Sequence, residues 1–185
     1  MRACVRIAGV GGQGAITAGH LLGTAAVLYD KKEAVVTEGY SPYITGGWSR
    51  ADVVVSDSHI DYPMVEKLDG LVTMYQDGLD SNLALLRQGS VILGEKRLVD
   101  RSKAKGRDVM LVPATDVAES LGRKLLTNIV LLGALTAAMP LVSLDSLKTA
   151  VSVRFPKAAD VNTRALQMGY ELGQALGRKG ERITA

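Results

Sequence analysis

The chain has 185 residues, 47% hydrophobic and 22% charged, with a formal net charge of +3. That length suits one domain with a full core, and so small and dispersed a positive charge argues against a dedicated nucleic-acid binder, which carries a basic face or stripe. One cysteine, Cys4, and two distant histidines, His20 and His59, exclude an internal disulfide and any His- or Cys-based metal site held by this chain alone; Arg6 breaks the first apolar run, so no signal peptide is read there, no stretch reaches membrane-span length, and a reducing cytoplasm is expected.

Ala3 to Ala8 reads as a buried strand, with Cys4 in its core. Ala15 to Tyr29 reads as a helix, with Ile16, His20, Leu21, Ala25 and Leu28 at helical spacing. Glu33 to Thr37 is a second strand. A Gly-, Pro-, Tyr- and Ser-rich loop runs from Glu38 to Trp48, and Arg50 to Val55 follows as a valine-rich strand. Gly70 to Met74 is a strand, Leu79 to Arg87 a helix capped by Gly89, and Ser90 to Leu93 and Val109 to Val112 are short strands. The basic run Lys96 to Arg107 between them reads as a solvated loop. Asp116 and Glu119 signal a helix start and Gly122 its stop. Leu125 to Met139 is apolar nearly all round and should be buried on more than one side. Ser143 caps a helix to about Val153, and Asp160 a last one to about Leu176. Strands alternating with helices imply a single-domain α/β fold: a mostly parallel sheet with helices on both faces and a Rossmann-like glycine loop after strand one.

That loop, Gly9-Val10-Gly11-Gly12-Gln13-Gly14, satisfies the G-x-G-x-x-G spacing between a strand and a helix. Its amides can approach an anion, and a helix start adds about half a positive charge. Gln13 contributes an amide that both donates and accepts. A dinucleotide site also wants an acid at the end of strand two; Glu38 is offered, but the reading places it beyond that strand. The second loop is too particular for a plain connection: Pro42 stiffens it, Gly46 and Gly47 free its backbone, and Tyr40, Tyr43 and Trp48 suit an interface. In a parallel sheet both loops leave the carboxyl ends of strands and should line one crevice.

The segments AGVGGQGAITAGHLLGTAA, GYSPYITGGWSRADVVVSDSHIDYP, NIVLLGAL and ADVNTRALQMGYELG resemble, in order and spacing, the gamma subunit of 2-oxoacid:ferredoxin oxidoreductases, from about Ile7 to Leu172. Such complexes convert a 2-oxoacid and coenzyme A to acyl-CoA, carbon dioxide and reduced ferredoxin. The resemblance implies one gamma-type domain, expected over 1–176, and the tail over 177–185 reads as frayed. It implies thiamine diphosphate, magnesium and iron–sulfur clusters on other subunits, and no cofactor held by this chain alone. The implied partners are alpha, beta and ferredoxin-like delta subunits, with ferredoxin reached through the complex and an oligomeric assembly; neither nucleic acid nor membrane is expected. The forms AAVLYDKKEAVV and HIDYP lean toward the 2-oxoglutarate branch, with the pyruvate, branched-chain oxoacid and indolepyruvate branches left open.

The implied coenzyme A channel is lined by Gly9, Gly11, Gly12, Gln13 and Gly14, by Tyr40, Ser41, Pro42, Thr45, Gly46, Gly47 and Ser49, and by Asn128. No catalytic residue and no metal ligand is assigned. The chain departs from the family's Tyr-Gly-Pro-Glu-x-Arg-Gly-Gly-x-Ser at Ser41, Tyr43 and Thr45. A hydroxyl cannot replace an arginine's two-pronged hold on an anion, so either Arg50 supplies the charge or the site takes something different. Asn128 either reaches the crevice or satisfies a backbone group. Gly133 points to close helix packing. Ser56, Asp57 and His59 match a hydrolytic triad by type but lack its elbow and oxyanion motif. The alternative to a complex subunit is a free-standing nucleotide- or NAD-binding module.

Overall fold

The computed structural model describes residues 1–42 and 47–181, with side chains to residue 177. Six strands form one sheet: β1 (Arg2–Val10), β2 (Glu33–Tyr40), β3 (Trp48–Ser56), β4 (Leu68–Thr73), β5 (Leu86–Glu95) and β6 (Met110–Val112), in the order β2-β3-β1-β4-β5-β6. The sheet is mixed. β1, β4, β5 and β6 pair in parallel, whereas β3 runs antiparallel to both β1 and β2. β3 alone is reversed because it returns directly from β2 as a hairpin. Val10 consequently faces Trp48 in the ladder, and the hairpin loop emerges beside the carboxyl end of β1.

Alternation along the strands divides the core in two. Val5 and Ile7 of β1, Val53 and Val55 of β3 and Val72 of β4 face α1 (Ala15–Thr24), α3 (Ala114–Ser120), α4 (Thr127–Ala138), α5 (Leu144–Arg154) and α6 (Ala159–Glu181). Ala8, Leu71 and Ile92 face the other way, toward α2 (Gln76–Asp80), a 3₁₀ turn at Leu83–Leu85 and the segment around Val99. Helices therefore cover both faces, but unequally.

α4 is buried along nearly all its length, as its all-round apolar sequence requires, and packs backbone to backbone on α6. A Cβ on Gly133 would lie 2.1 Å from the Leu166 carbonyl oxygen, and one on Gly169 1.9 Å from that of Val130. Ser143 caps α5 by accepting from the Ser146 amide.

Several expectations are corrected. Leu79 to Arg87 is not one helix: α2 ends at Asp80, the 3₁₀ turn follows, and β5 begins at Leu86. Gly89 is no helix cap; it lies within β5 at φ 77°, where the β4–β5 register shifts between Leu68 and Gly70. The first helix ends at Thr24 and loosens into a π-helical turn over Ala25–Tyr29. Asp116 sits inside the first turn of α3, which Pro113 precedes, and with Glu119 it pairs with Arg97. In the basic run, Val99 and Ala104 are buried while most charges face solvent. α6 runs to Glu181.

Candidate functional site

The glycine loop closes on itself and on its neighbours. Gln13 anchors it: its Oε1 accepts from the Val10 amide at 2.7 Å and its Nε2 donates to the Met74 carbonyl at 3.1 Å, tying the end of β1 to the end of β4. Gly9 permits this approach, since a Cβ there would meet Gln13 Oε1 and Met74 Cε at 3.0 Å each. Gln13 thus shapes the loop with both ends of its amide. The Gly11 amide, expected to be open to a ligand, donates instead to the Gly47 carbonyl at 2.8 Å, and the Gln13 amide donates to Val10. These bonds join the first loop to the second and leave Gly12 and Gly14 as the loop's uncommitted amides among the described residues.

Gly14 is the N-cap of α1, in the left-handed region at φ 74°, with no side-chain cap and no acidic residue in the first turn. The helix start is electrically uncompensated and favours an anion. Asn128 supports it from α4. Its Nδ2 donates to the Gly14 carbonyl at 3.0 Å and its Oδ1 accepts from the Ile129 amide at 2.9 Å, so Asn128 satisfies backbone groups and holds the loop rather than pointing free into the crevice.

In the second loop, the Ser41 amide donates to the Trp48 carbonyl at 2.8 Å, closing the hairpin, and Ser49 Oγ reaches the Gly9 carbonyl at 3.5 Å. Tyr40 is exposed and donates to Glu38, whose other oxygen contacts His20. The hydrogen bond from Tyr40, then that from His20, holds the Glu38 carboxyl below its usual range. Glu38 lies within β2, not beyond it. β3 intervenes between β2 and β1, so two strand spacings of about 4.8 Å separate this acid from the glycine strand. That is the wrong place for gripping a ribose. Of the remaining site expectations, Tyr43, Thr45 and Gly46 lie outside the described residues.

Two hollows flank the loops. One of about 160 Å³ lies on the α4 side, lined by Gly12, Gln13, Met74, Leu98, Thr115, Lys124, Leu125 and Thr127. A larger one, about 600 Å³, lies beneath α2, with Ser41, Pro42 and Gly47 at its rim and Ala8, Val10, Trp48, Arg50, Tyr75 and Asp77 among its walls.

The larger hollow has a polar floor that the sequence reading missed. Arg6 is 3% exposed and directly opposite Asp52 across β1 and β3. Its Nε and Nη2 donate to the two Asp52 oxygens at 2.6 and 2.7 Å, and its Nη1 to Asn82 Oδ1 at 2.6 Å. Asn82 Nδ2 donates onward to the Gly78 carbonyl at 2.7 Å. An arginine inside an apolar strand was the available signal; its partners become visible only once the strand register is known. Burial pushes the Tyr75 phenol up, Asp77 adds to this, and Arg50 and Arg6 oppose it.

The hydrolytic triad does not assemble. Asp57 pairs with the N-terminal ammonium at 2.8 Å, His59 with Glu33 at 3.2 Å, and Ser56 with Ser58 at 3.3 Å. Burial raises the Cys4 thiol above its ordinary value, consistent with a core role. Among the described residues no group of three or more His, Cys, Asp or Glu is placed to hold a metal ion, and no helix is long and apolar enough to cross a membrane.

Comparison with known proteins matches residues 4–172 to the family described as pyruvate ferredoxin/flavodoxin oxidoreductase. The chain is 41% identical to the 2-oxoglutarate synthase subunit KorC of Methanocaldococcus jannaschii, over 95% of this chain and 96% of that one. It is 40% identical to the KorC of Methanothermobacter marburgensis, over 93% and 97%. Among solved structures it is similar to the gamma subunit of a keto/oxoacid ferredoxin oxidoreductase from Geobacter sulfurreducens, with a TM-score of 0.81 at 31% identity, covering 95% of this chain and 98% of that one.

Proposed function

The chain belongs to the pyruvate ferredoxin/flavodoxin oxidoreductase family, and we propose that it is the gamma-type subunit of a 2-oxoacid:ferredoxin oxidoreductase that uses 2-oxoglutarate. The complex joins a 2-oxoacid to coenzyme A, releasing carbon dioxide and passing two electrons to ferredoxin. The observation that carries this reading is end-to-end similarity to 2-oxoglutarate synthase subunits, with no large unmatched segment on either side. Thiamine diphosphate, magnesium and the clusters belong to the alpha, beta and delta partners, and the single domain of residues 1–176 contributes architecture and a channel wall in a cytoplasmic assembly.

On this reading the pyrophosphate of coenzyme A lies over Gly12 and Gly14 at the start of α1. Support comes from the uncapped helix start, the uncommitted amides and Lys124, which lines the same hollow as Gly12. Gly9, Gln13 and Asn128 hold the loop in shape. Gly11 and Gly47 couple it to the second loop, where Tyr40, Ser41, Pro42 and Ser49 form the other wall.

The test is Gly12→Val in the assembled complex. A Cβ at Gly12 meets nothing within 4 Å, although φ is 89°. The valine side chain therefore projects into the space an incoming ligand would take, at a cost in backbone strain from the left-handed φ that the unfolding curve of the variant measures. Slowing of the coenzyme A-dependent step with decarboxylation retained is the expected result. Equal loss of both steps would make the loop purely architectural.

A further inference from the structure

We infer that the hollow beneath α2 is a nucleotide site, taking a planar heteroaromatic ring that carries a phosphate, with Arg50 as the phosphate-binding residue and the Trp48–Arg50 pair as the stacking wall. The inference goes beyond the channel reading, because this hollow lies on the opposite side of β1 from α1 and its helix start.

Its size fits: about 600 Å³ falls within the range of small-molecule pockets. Its charges fit as well. Asp52 is spent on Arg6, which it grips at 2.6 and 2.7 Å, whereas Arg50 Nε stands 3.7 Å from the same carboxylate. Arg6 is fixed and neutralised as part of the floor, and Arg50 retains a cation for an incoming anion. The Arg50 guanidinium also lies over the Trp48 ring, 5.5 Å from its centroid. A guanidinium laid on an aromatic face still offers its outer plane to a further ring.

This wall is built into the backbone. A Cβ on Gly39 would come within 2.9 Å of Arg50 Nε and 3.2 Å of Trp48 Cζ3, so the glycine lets both side chains lie across β2. Tyr75 supplies a second aromatic face. Asp77, on the same lining, discriminates between ligands: it repels a bare phosphate but accepts from the amine or hydroxyl groups of a nucleotide. A ligand with both a phosphate and hydrogen-bond donors satisfies both charged ends of the hollow.

Trp48 is the only tryptophan in the chain, so its fluorescence reports this wall directly. The experiment titrates the full chain with AMP, adenosine and inorganic phosphate, reading Trp48 emission and calorimetry. Saturable binding of AMP is expected, tighter than either fragment. Arg50→Gln should weaken it by at least about tenfold, or 1.4 kcal/mol, whereas Gly12→Val should leave it unchanged. Competition by coenzyme A would identify the nucleotide end of that cofactor as the occupant, and absence of competition a free nucleotide; either answer upholds the site. Absence of saturable AMP binding at millimolar concentration overturns the inference, as does phosphate binding as tightly as AMP. Loss of AMP binding in Gly12→Val with retention in Arg50→Gln would put the nucleotide on the glycine loop and also overturn it. None of these results depends on whether the chain assembles with partners.

Discussion

Gly12 and Gly14, two residues apart in the first loop, do different work. Gly12 and Gly14 both hold positive φ, which costs a non-glycine residue about 1–2 kcal/mol. Only Gly14 is also crowded: a Cβ there would lie 2.4 Å from Asn128 Nδ2. Gly12→Ala should therefore cost about 1–2 kcal/mol, and Gly14→Ala about 1–3 kcal/mol more from overpacking. Denaturant midpoints of the two variants check this, and equal losses would contradict the assigned Asn128 contact. The buried floor gives a sharper case. Asp52→Ala leaves Arg6 charged and unpaired in the core, which should cost about 3–5 kcal/mol. A loss below 1 kcal/mol, measured by the same unfolding curves, would mean that Arg6 finds water or another partner.

At the scale of the elements, the α4–α6 seam is held by contact between backbones. Gly169→Ala should destabilise by about 3 kcal/mol, since the obstructing atom is a main-chain oxygen that cannot rotate away. Gly177→Ala, on the exposed continuation of α6 with nothing within 4 Å, should instead stabilise by up to about 1 kcal/mol. Asp30 pins the end of the first helical stretch to α5, accepting from the Ser143 amide, the Ser143 hydroxyl and the Ser146 hydroxyl. Desolvation raises the Asp30 carboxyl, but the bonds from Ser146 and Ser143 outweigh it and the net shift is downward. Its contribution is therefore present above the unfolded value of about 4 and is lost as pH falls through the lower folded value. Asp30→Asn should narrow its stability gap to the parent chain across that acid window; a gap independent of pH would contradict the pin. The strands, the Ser143 cap and the buried α4 were legible because each is a local pattern of period or punctuation. The stretch from Leu79 to Arg87 was not, because its leucines satisfy helical spacing while long-range pairing with β4 draws Leu86 and Arg87 into a strand. The reversal of β3 was likewise hidden, since a valine-rich strand reads the same in either direction.

For the whole molecule, the glycine loop and the hairpin loop were readable as neighbours, and the strand ends do bring them together through Gly11 and Gly47. What each residue does there was less readable. Gln13 and Asn128 are polar residues in a glycine-rich setting, and only the positions of Met74 and Gly14 reveal that they brace the loop. The Arg6–Asp52–Asn82 floor joins residues 46 and 76 positions apart, beyond any local pattern. With one cysteine and no assembled metal cluster among the described residues, the purified chain alone should show no 2-oxoacid oxidation and no stoichiometric iron. Calorimetry should show no micromolar binding of NAD at the glycine loop, since Glu38 is displaced by two strands; micromolar affinity that Gly12→Val abolishes and Arg50→Gln leaves intact would favour a dehydrogenase-like module. The most direct test of the account is affinity purification of the tagged chain from its native cells, followed by analysis of what accompanies it. Defined partner subunits carrying iron and thiamine diphosphate, with 2-oxoglutarate- and coenzyme A-dependent reduction of ferredoxin, are predicted. Recovery of the chain alone, or of an assembly without that activity, would contradict its assignment as a subunit of this oxidoreductase.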